Sequence, residues 1–193
     1  MHAQYTDIVG WTDASIKFDL TKDLEGSVGQ QLRYDFTIGS LYQWNSEASL
    51  DYKLIKHLKA GVDYRFSYRP GGSKQRVGLG LTYKDGFGDF DLGFRSKIQY
   101  SFTPDNREGS TWRNKISGDY KINKHWYVGA SGEIFYAFSN TGNLFNNYRL
   151  GCSVEHRINK HNSLELAYLF DDEFHVNAPV DLHVMSLSYA YSF

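Results

Sequence analysis

The last stretch of the chain, residues 183–193, reads H-V-M-S-L-S-Y-A-Y-S-F. From Met185 onward every second residue is large and apolar or aromatic, and serine or alanine stands between them. A period of two is typical of a β-strand with two different faces, because successive side chains point to opposite sides of a sheet. The stretch therefore predicts a strand that runs to an aromatic end at Phe193.

The same alternation recurs along the whole chain of 193 residues. Its clearest example is 58–69, where the apolar Val62, Tyr64 and Phe66 alternate with the charged Asp63 and Arg65. Counting from residue 14, eleven such segments follow one another, and in each the large apolar residues share one face. The segment at 42–53 is assigned the same way, with Tyr42 on the apolar face. The chain is therefore predicted to be all-β.

The connections between these segments alternate in length. Short turns lie on one side of the sheet and mostly longer polar loops on the other, as in outer-membrane barrels with periplasmic turns and extracellular loops. The predicted short turns are 21–23, 55–57, 85–88, 123–125 and 159–161. The predicted longer loops are 37–40, 70–74, 103–111, 139–146 and 172–178.

The turns also predict how many strands the barrel has. Five short turns pair ten strands, and the last strand ends on the short-turn side. If both termini lie on that side, residues 4–9 must add one short strand, so we expect twelve strands, with eleven and ten as alternatives. Residues 1–10 are then an N-terminal segment or a short first strand of one domain spanning 1–193. Residues 1–4 are compatible with the end of a removed export signal.

The apolar face is predicted to point outward into lipid. It carries too many large rings to fit inside one barrel, and a soluble, lipocalin-like barrel would have to place them there. The rings also gather near the strand ends, as in the two aromatic girdles of membrane barrels. No apolar run approaches the roughly 18 residues of a membrane helix. We assign these rings to the two girdles: Phe18, Tyr52, Tyr83, Phe90, Tyr120 and Trp126 beside short turns, and Trp112, Phe138, Tyr148 and Phe170 beside long loops.

With the apolar face outward, the opposite face lines a charged lumen. Such a lumen is either a permeation path or a set of ion pairs that neutralise charge inside the barrel. Acidic and basic side chains nearly balance, which favours the ion pairs, because selective pores carry an excess of one sign. The candidate lumen residues are Arg33, Glu47, Asp63, Arg65, Arg95, Glu133, Arg149, Glu155 and Glu165.

Several function classes find no support in the sequence. The net charge of −1 gives no reason to expect a nucleic acid partner. The histidines are assigned to short turns (His57, His125, His161), to the lipid-facing phase (His156, His183) or to a loop (His175), so none is placed for catalysis inside the barrel. The acidic run at 171–173 lacks the spaced ligands of a calcium site. We therefore predict no enzyme activity, no catalytic residue, no metal and no cofactor.

Three small residues on the outward face form a candidate contact surface. If 123–125 is a three-residue turn, Gly118 lies opposite Ala130, with Gly132 on the diagonal. Small residues allow membrane proteins to approach closely, so this patch could contact another outer-membrane protein. The alternative is a shallow dent filled by lipid.

The chain also resembles a known family. The stretches G-Q-Q-L-R-Y-D-F (29–36), G-V-D-Y-R-F-S-Y-R (61–69) and W-R-N-K-I-S-G-D-Y-K-I-N-K-H-W-Y-V-G-A-S-G-E-I-F-Y (112–136) are similar to the domain-of-unknown-function 2490 family, and the resemblance extends over 11–193. It implies a transmembrane antiparallel up-and-down β-barrel in the outer membrane of a Gram-negative bacterium of the Bacteroidota. It brings no catalytic residues.

These observations predict an outer-membrane barrel of unassigned activity. The first hypothesis is a narrow, porin-like channel with a charge-balanced lumen. The alternative is a non-conducting structural or accessory barrel that associates with other outer-membrane proteins, and a barrel enzyme is the third. The expected partners are outer-membrane lipids and the barrel-assembly machinery, which would read Tyr189, Tyr191 and Phe193 in the last strand.

Overall fold

The repeated alternation forms a closed β-barrel in the computed structural model, which describes residues 5–104, 109–138, 144–176 and 179–193. Long strands joined by brief connections make up almost all of these residues. The strands are β1 (Tyr5–Asp19), β2 (Leu24–Asp35), β3 (Ser40–Ile55), β4 (Leu58–Arg69), β5 (Gly72–Phe87), β6 (Phe90–Phe102), β7 (Gly109–Lys121), β8 (Trp126–Phe138), β9 (Leu144–Arg157), β10 (Asn162–Glu173) and β11 (Val180–Ser192).

Each strand pairs antiparallel with its neighbour in sequence, and the barrel closes where β1 pairs with β11 in parallel, from Tyr5 opposite Val180 to Lys17 opposite Ser192. An odd number of alternating strands requires a parallel closure, because the first and last strands then run in the same direction. The described residues form eleven strands, one of the two smaller numbers that the sequence left open.

The preferred number of twelve depended on a separate strand at residues 4–9, and the structure has none. Residues 5–19 form one continuous strand, because no turn interrupts the chain between Val9 and Ala14. Strand β1 therefore starts at the long-loop end of the barrel and descends to the first short turn. The two described chain ends lie at opposite ends of the barrel.

Four of the five short turns lie where the sequence places them. The turn predicted at 85–88 lies at 88–89 instead, because β5 continues to Phe87. One predicted long loop is tight. Strand β4 ends at Arg69 and β5 begins at Gly72, so the connection expected at 70–74 is only two residues long. Gly71 and Gly72 have φ values of 96° and 136°, a region that glycine enters without the cost that a Cβ brings. Parts of the loops expected at 103–111, 139–146 and 172–178 lie outside the described residues.

The two faces of the barrel are inverted relative to a soluble protein. Large apolar side chains such as Leu79 and Ile116 are 64% and 63% exposed on the outside. Polar side chains such as Asn45, Gln99 and Asp171 are only 1%, 3% and 4% exposed. This arrangement fits a lipid-facing exterior and a polar interior, as the sequence predicts. No helix in the described ranges is long and apolar enough to cross a membrane.

A β-bulge changes the facing of one predicted residue. The register between β2 and β3 shifts between Arg33 and Tyr34, so that Tyr42 is an extra residue on β3. An extra residue shifts the alternation by one position beyond it. Tyr42 consequently packs against the buried Val9 and Trp11, and the expectation that it shares the lipid-facing side of Trp44 is wrong.

The repeated histidines of the short turns have a structural role. In each turn the ring Nδ1 lies within hydrogen-bond distance of a backbone carbonyl on the neighbouring hairpin, and the histidine carbonyl accepts a bond from the same residue. Each turn is thereby tied to the next pair of strands. The ring contacts are His57 to Lys84 (3.0 Å), His125 to Arg157 (2.9 Å) and His161 to Ser192 (2.7 Å).

Candidate functional site

The inward residues divide the lumen into two parts. We call the packed part toward the long loops the plug, and its apolar centre consists of Val9, Trp11 and Val184, which are 2%, 7% and 0% exposed. Val9 and Val184 are register partners across the parallel seam of β1 and β11, which explains why their side chains meet. Partly buried Tyr42, Leu169 and Leu182 pack against this centre.

Arginines from two other strands enclose the Trp11 ring. The guanidinium carbon of Arg33, on β2, lies 4.0 Å from the ring centroid, and that of Arg149, on β9, lies 5.4 Å from it. A cation over an aromatic face is attracted by the ring quadrupole, and more strongly where water is excluded. The Phe135 ring similarly receives Arg113 at 4.7 Å and Arg149 at 5.3 Å. These contacts connect β2 to β9 through the interior.

A single carboxylate holds three of the arginines. Glu133, whose side chain is 5% exposed, lies 2.8 Å from Arg113, 3.4 Å from Arg95 and 3.8 Å from Arg149. Arg149 also forms an ion pair with Asp171, which receives a hydrogen bond from Asn147 at 2.5 Å. Buried charges are stable only when they are paired in this way. The plug is therefore a connected ionic network around an apolar centre.

Seven of the nine lumen residues predicted from the sequence form ion pairs, and all nine lie on the inward face. Arg33 contacts Trp11 and Gln31, and Glu165 has no basic group within ion-pair distance among the described residues. Besides the Glu133 network, three pairs contain predicted residues: Arg65 with Glu47, Lys97 with Asp63, and Arg157 with Glu155 at 3.1 Å. A further pair joins Lys59 to Glu25 at 2.9 Å.

Toward the short turns the lumen widens into two connected cavities of about 710 and 610 Å³, which we call the vestibule. The larger cavity reaches the turn residues Lys22 and Asp23 and extends inward to Glu47 and Asp63. The smaller is lined by Asp91, Asp119, Glu155 and Glu165. Both are bordered by Lys17, His57, Lys84, Gly93 and Ser117, so they share one space.

His57 lies at the mouth of this vestibule. The sequence assigned it to a short turn away from the lumen. It does lie in that turn, but it also borders both cavities. Its Nδ1 is 3.0 Å from the Lys84 carbonyl oxygen and 3.3 Å from Asp85. With the ring held by this backbone contact, His57 shapes the opening. The other turn histidines border neither cavity.

The apolar centre of the plug was not predicted from the sequence. Val9 and Trp11 were not assigned to the lumen because residues 4–9 were treated as a separate strand. The sequence did contain a signal for them. Asp13 and Ser15 belong to the inward phase, and counting back from Asp13 by two and by four residues reaches Trp11 and Val9, which therefore share that face. The alternation of apolar-out and polar-in fails at these positions because the plug requires apolar contacts inside.

The outward features lie where the sequence puts them, and their roles stay predictions. Gly118 is the register partner of Ala130, and a Cβ on Gly118 would lie 3.4 Å from Leu92. A Cβ on Gly132 would lie 3.8 Å from Leu150, so leucine side chains border the patch. In the last strand, Phe193 is 74% exposed and its ring contacts Tyr191 edge-on at 5.0 Å.

Among the described residues no group of histidine, cysteine and carboxylate side chains could hold a metal ion. Cys152 is exposed on the outside of β9. The arrangement offers ion pairs, an arginine-enclosed tryptophan and an open polar vestibule.

Comparison with solved structures finds outer-membrane barrels. The KdgM porin aligns with a TM-score of 0.53 at 13% identity, covering 81% of this chain and 81% of the porin. OmpT of Vibrio cholerae aligns with a TM-score of 0.48 at 14% identity, covering 78% of this chain, which spans about half (54%) of OmpT. At such identities the likeness concerns the fold. No protein with a curated description matches the chain.

The family comparison covers most of the chain. The model of the family described as "Protein of unknown function (DUF2490)" matches residues 9–178, in agreement with the resemblance seen in the strand sequences. The matched region begins at Val9, in the plug, and ends beyond β10. The chain therefore belongs to the DUF2490 family, and its fold is a transmembrane β-barrel of the outer-membrane type.

Proposed function

We propose that this protein is a non-conducting outer-membrane barrel whose lumen is closed by the plug and open to the periplasm at the vestibule. The observation that carries the proposal is the Trp11 ring enclosed by Arg33 and Arg149, which come from strands on either side of the β1–β11 seam. With Glu133 fixing Arg149 and two further arginines, this contact leaves the plug little freedom to open. The proposed role is binding at the vestibule, without catalysis.

The proposed orientation follows from the connections. Short turns surround the vestibule, and in outer-membrane barrels the short turns are periplasmic. The exposed apolar exterior would contact outer-membrane lipids, and the assembly machinery would read Tyr189, Tyr191 and Phe193 during insertion. A ligand would then reach the vestibule from the periplasm.

A narrow channel is the second candidate, and one observation favours it. Several buried polar atoms in the lumen have no hydrogen-bond partner within the described structure. Buried polar groups of this kind are usually satisfied by internal water. A water-containing plug needs only a modest side-chain movement to give a continuous path. The atoms are Trp11 Nε1, Asp63 Oδ2, Arg76 Nε, Gln99 Nε2 and Asn147 Oδ1.

Conductance in planar bilayers separates the two candidates. We expect no steady conductance from the wild type, and a steady conductance from Trp11→Ala, because the substitution removes the ring between Arg33 and Arg149. The matched control is Trp44→Ala, since Trp44 is 49% exposed on the outside. This control should behave as wild type.

Two outcomes would contradict the closed barrel. Steady wild-type conductance that changes when Arg65, Arg95 or Glu133 is neutralised would favour the narrow channel. A Trp11→Ala variant that folds, by heat-modifiable gel migration, and stays silent would remove the plug as the element that closes the lumen.

A further inference from the structure

We propose that the vestibule binds a small multivalent anion carrying phosphate or carboxylate groups, which enters from solution at the short-turn end. The inference deepens the proposed function, because it rests on an open vestibule. It does not require the plug to be closed. Binding and conductance are measured separately, so either idea can fail without the other.

The larger cavity carries an excess of positive charge. Nine lysine or arginine side chains and six aspartate or glutamate side chains line it, so the cations are in excess by three. The smaller cavity, lined mainly by residues of β5 to β11, has five acidic and three lysine or arginine side chains. Although the lumen is nearly balanced as a whole, its charges are segregated. The overall balance inferred from the sequence therefore conceals a basic compartment.

Several of these lysines have no counter-charge among the described residues. Lys17, Lys53, Lys84 and Lys115 form no ion pair within 4 Å in the part of the chain that the structure describes, whereas Lys59 and Lys97 are paired with Glu25 and Asp63. Lys84 lines both cavities, and Lys115 lines the larger one.

The strand register places two basic residues of the larger cavity side by side. Arg95 of β6 stands directly opposite Lys115 of β7, and both line the cavity. Like-charged cross-strand pairs are destabilising. Arg95 is paired with Glu133, whereas Lys115 forms no ion pair among the described residues. A bound anion would neutralise such a basic wall.

Several aspartates of the vestibule lie against its wall. Asp51 faces Gly61 across the strands, and a Cβ on this glycine would collide with the Asp51 carboxylate. The aspartate therefore lies flat against the barrel wall, in space that only glycine leaves free. The same relation holds for Asp63 over Gly78, Asp91 over Gly86 and Asp119 over Gly129.

In the larger cavity, the short, retracted Asp51 and Asp63 contrast with the longer lysines. Lysine side chains can therefore extend further into this cavity than the two aspartates, which lie against its wall. A charge-assisted hydrogen bond from an ammonium group to phosphate or carboxylate is among the stronger polar contacts in proteins. A cavity of about 710 Å³ is within the range of small-molecule sites. The site thus suits a compact anion of several charges.

Isothermal titration with inorganic tripolyphosphate tests the proposal on the folded barrel in an uncharged detergent at low salt. We expect saturable binding to wild type, and weakening by about tenfold in Lys84→Gln and in Lys115→Gln, the loss of one charge-assisted contact each. Lys84→Arg should retain binding. The matched control is Lys160→Gln, in a short turn at the same end of the barrel but outside both cavities.

Absence of binding to wild type would overturn the proposal, as would an equal loss in Lys160→Gln, which would indicate general surface attraction. Displacement of tripolyphosphate by phosphatidylglycerol added to the micelles at equimolar concentration would assign the basic wall to a lipid headgroup and would also overturn it. Heat-modifiable migration checks that each variant is folded.

Discussion

The plug and the vestibule are built on the same eleven strands and by the same alternation, yet they have opposite properties. In the plug, arginines share carboxylates and enclose Trp11, so long side chains meet across the interior. In the vestibule, glycines let aspartates such as Asp51 and Asp63 lie against the wall. Lysines there such as Lys84 form no ion pair with any residue that the structure describes. Whether the lumen is filled therefore depends on how long the inward side chains are and whether they pair with one another, and not on the alternation along the strands.

The largest expected effect on stability comes from the centre of the plug. Glu133→Gln would leave Arg95, Arg113 and Arg149 with one counter-charge fewer in a site where the Glu133 side chain is 5% exposed. Removing one member of a buried ion pair costs about 3–5 kcal/mol. We expect the guanidinium midpoint of unfolding in lipid vesicles to fall accordingly.

The vestibule offers a matched control for this substitution. Glu155 is paired with Arg157, and the two side chains are 26% and 46% exposed. Exposed pairs contribute about 0–1 kcal/mol. Glu155→Gln should therefore leave the unfolding midpoint nearly unchanged. An equal fall of the unfolding midpoint in Glu133→Gln and Glu155→Gln would show that the plug is no more tightly packed than the vestibule.

A smaller effect is expected where a glycine accommodates a carboxylate. A Cβ at Gly78 would collide with Asp63 and lie 2.5 Å from Cε of Lys97, so Gly78→Ala must displace their ion pair. Overpacking of this kind costs about 1–3 kcal/mol. At Gly132 the nearest atom to an added Cβ is 3.8 Å away. Gly132→Ala should be neutral in the same unfolding measurement, and a neutral Gly78→Ala would contradict the retracted aspartate.

The turn histidines should contribute less again. His125→Ala removes the ring contact to the Arg157 carbonyl but leaves the backbone bonds of the turn in place. A single hydrogen bond contributes about 1 kcal/mol. We expect a loss of this size in the free energy of unfolding. Lys124→Ala, in the same turn, is the control, and an equal loss there would argue against the histidine contact.

The outward patch should have the smallest effect on stability. Gly118→Leu adds apolar surface toward lipid, beside Leu92, and should leave the unfolding midpoint unchanged or slightly raised. If Gly118, Ala130 and Gly132 contact another membrane protein, native extraction of the variant will lose a protein that co-purifies with wild type. Unchanged co-purification would support the lipid-filled dent.

The alternation of apolar and polar residues is a local property, and it predicts the strands, their facing and most of the turns. The parallel contact of β1 with β11 joins the two ends of the chain, so no local pattern specifies it. The strand number depended on that closure. The tight turn at Gly71 was expected to be longer because glycine and proline mark a turn without giving its length.

The sequence predicts which charged residues face the lumen, but it does not predict which of them pair with one another. The charged residues were assigned to the interior because they share a phase with one another. Which carboxylate meets which arginine depends on side chains from strands far apart in sequence, such as Arg95 and Glu133. The apolar centre was missed because Val9, Trp11 and Val184 are apolar residues on the inward face, where the alternation predicts polar ones.

Cysteine accessibility in micelles tests the difference between plug and vestibule most directly. In a Cys152→Ser background, Ser186→Cys places a thiol beside Trp11, where Ser186 is 7% exposed, and Ser117→Cys places one in the vestibule. Both ends of the barrel are open to solvent in a micelle, so the labelling rate with a water-soluble maleimide reports local access. The account predicts labelling of Ser117→Cys that is faster by about tenfold or more, because a packed site reacts only when it opens. Equal rates at the two positions would contradict it.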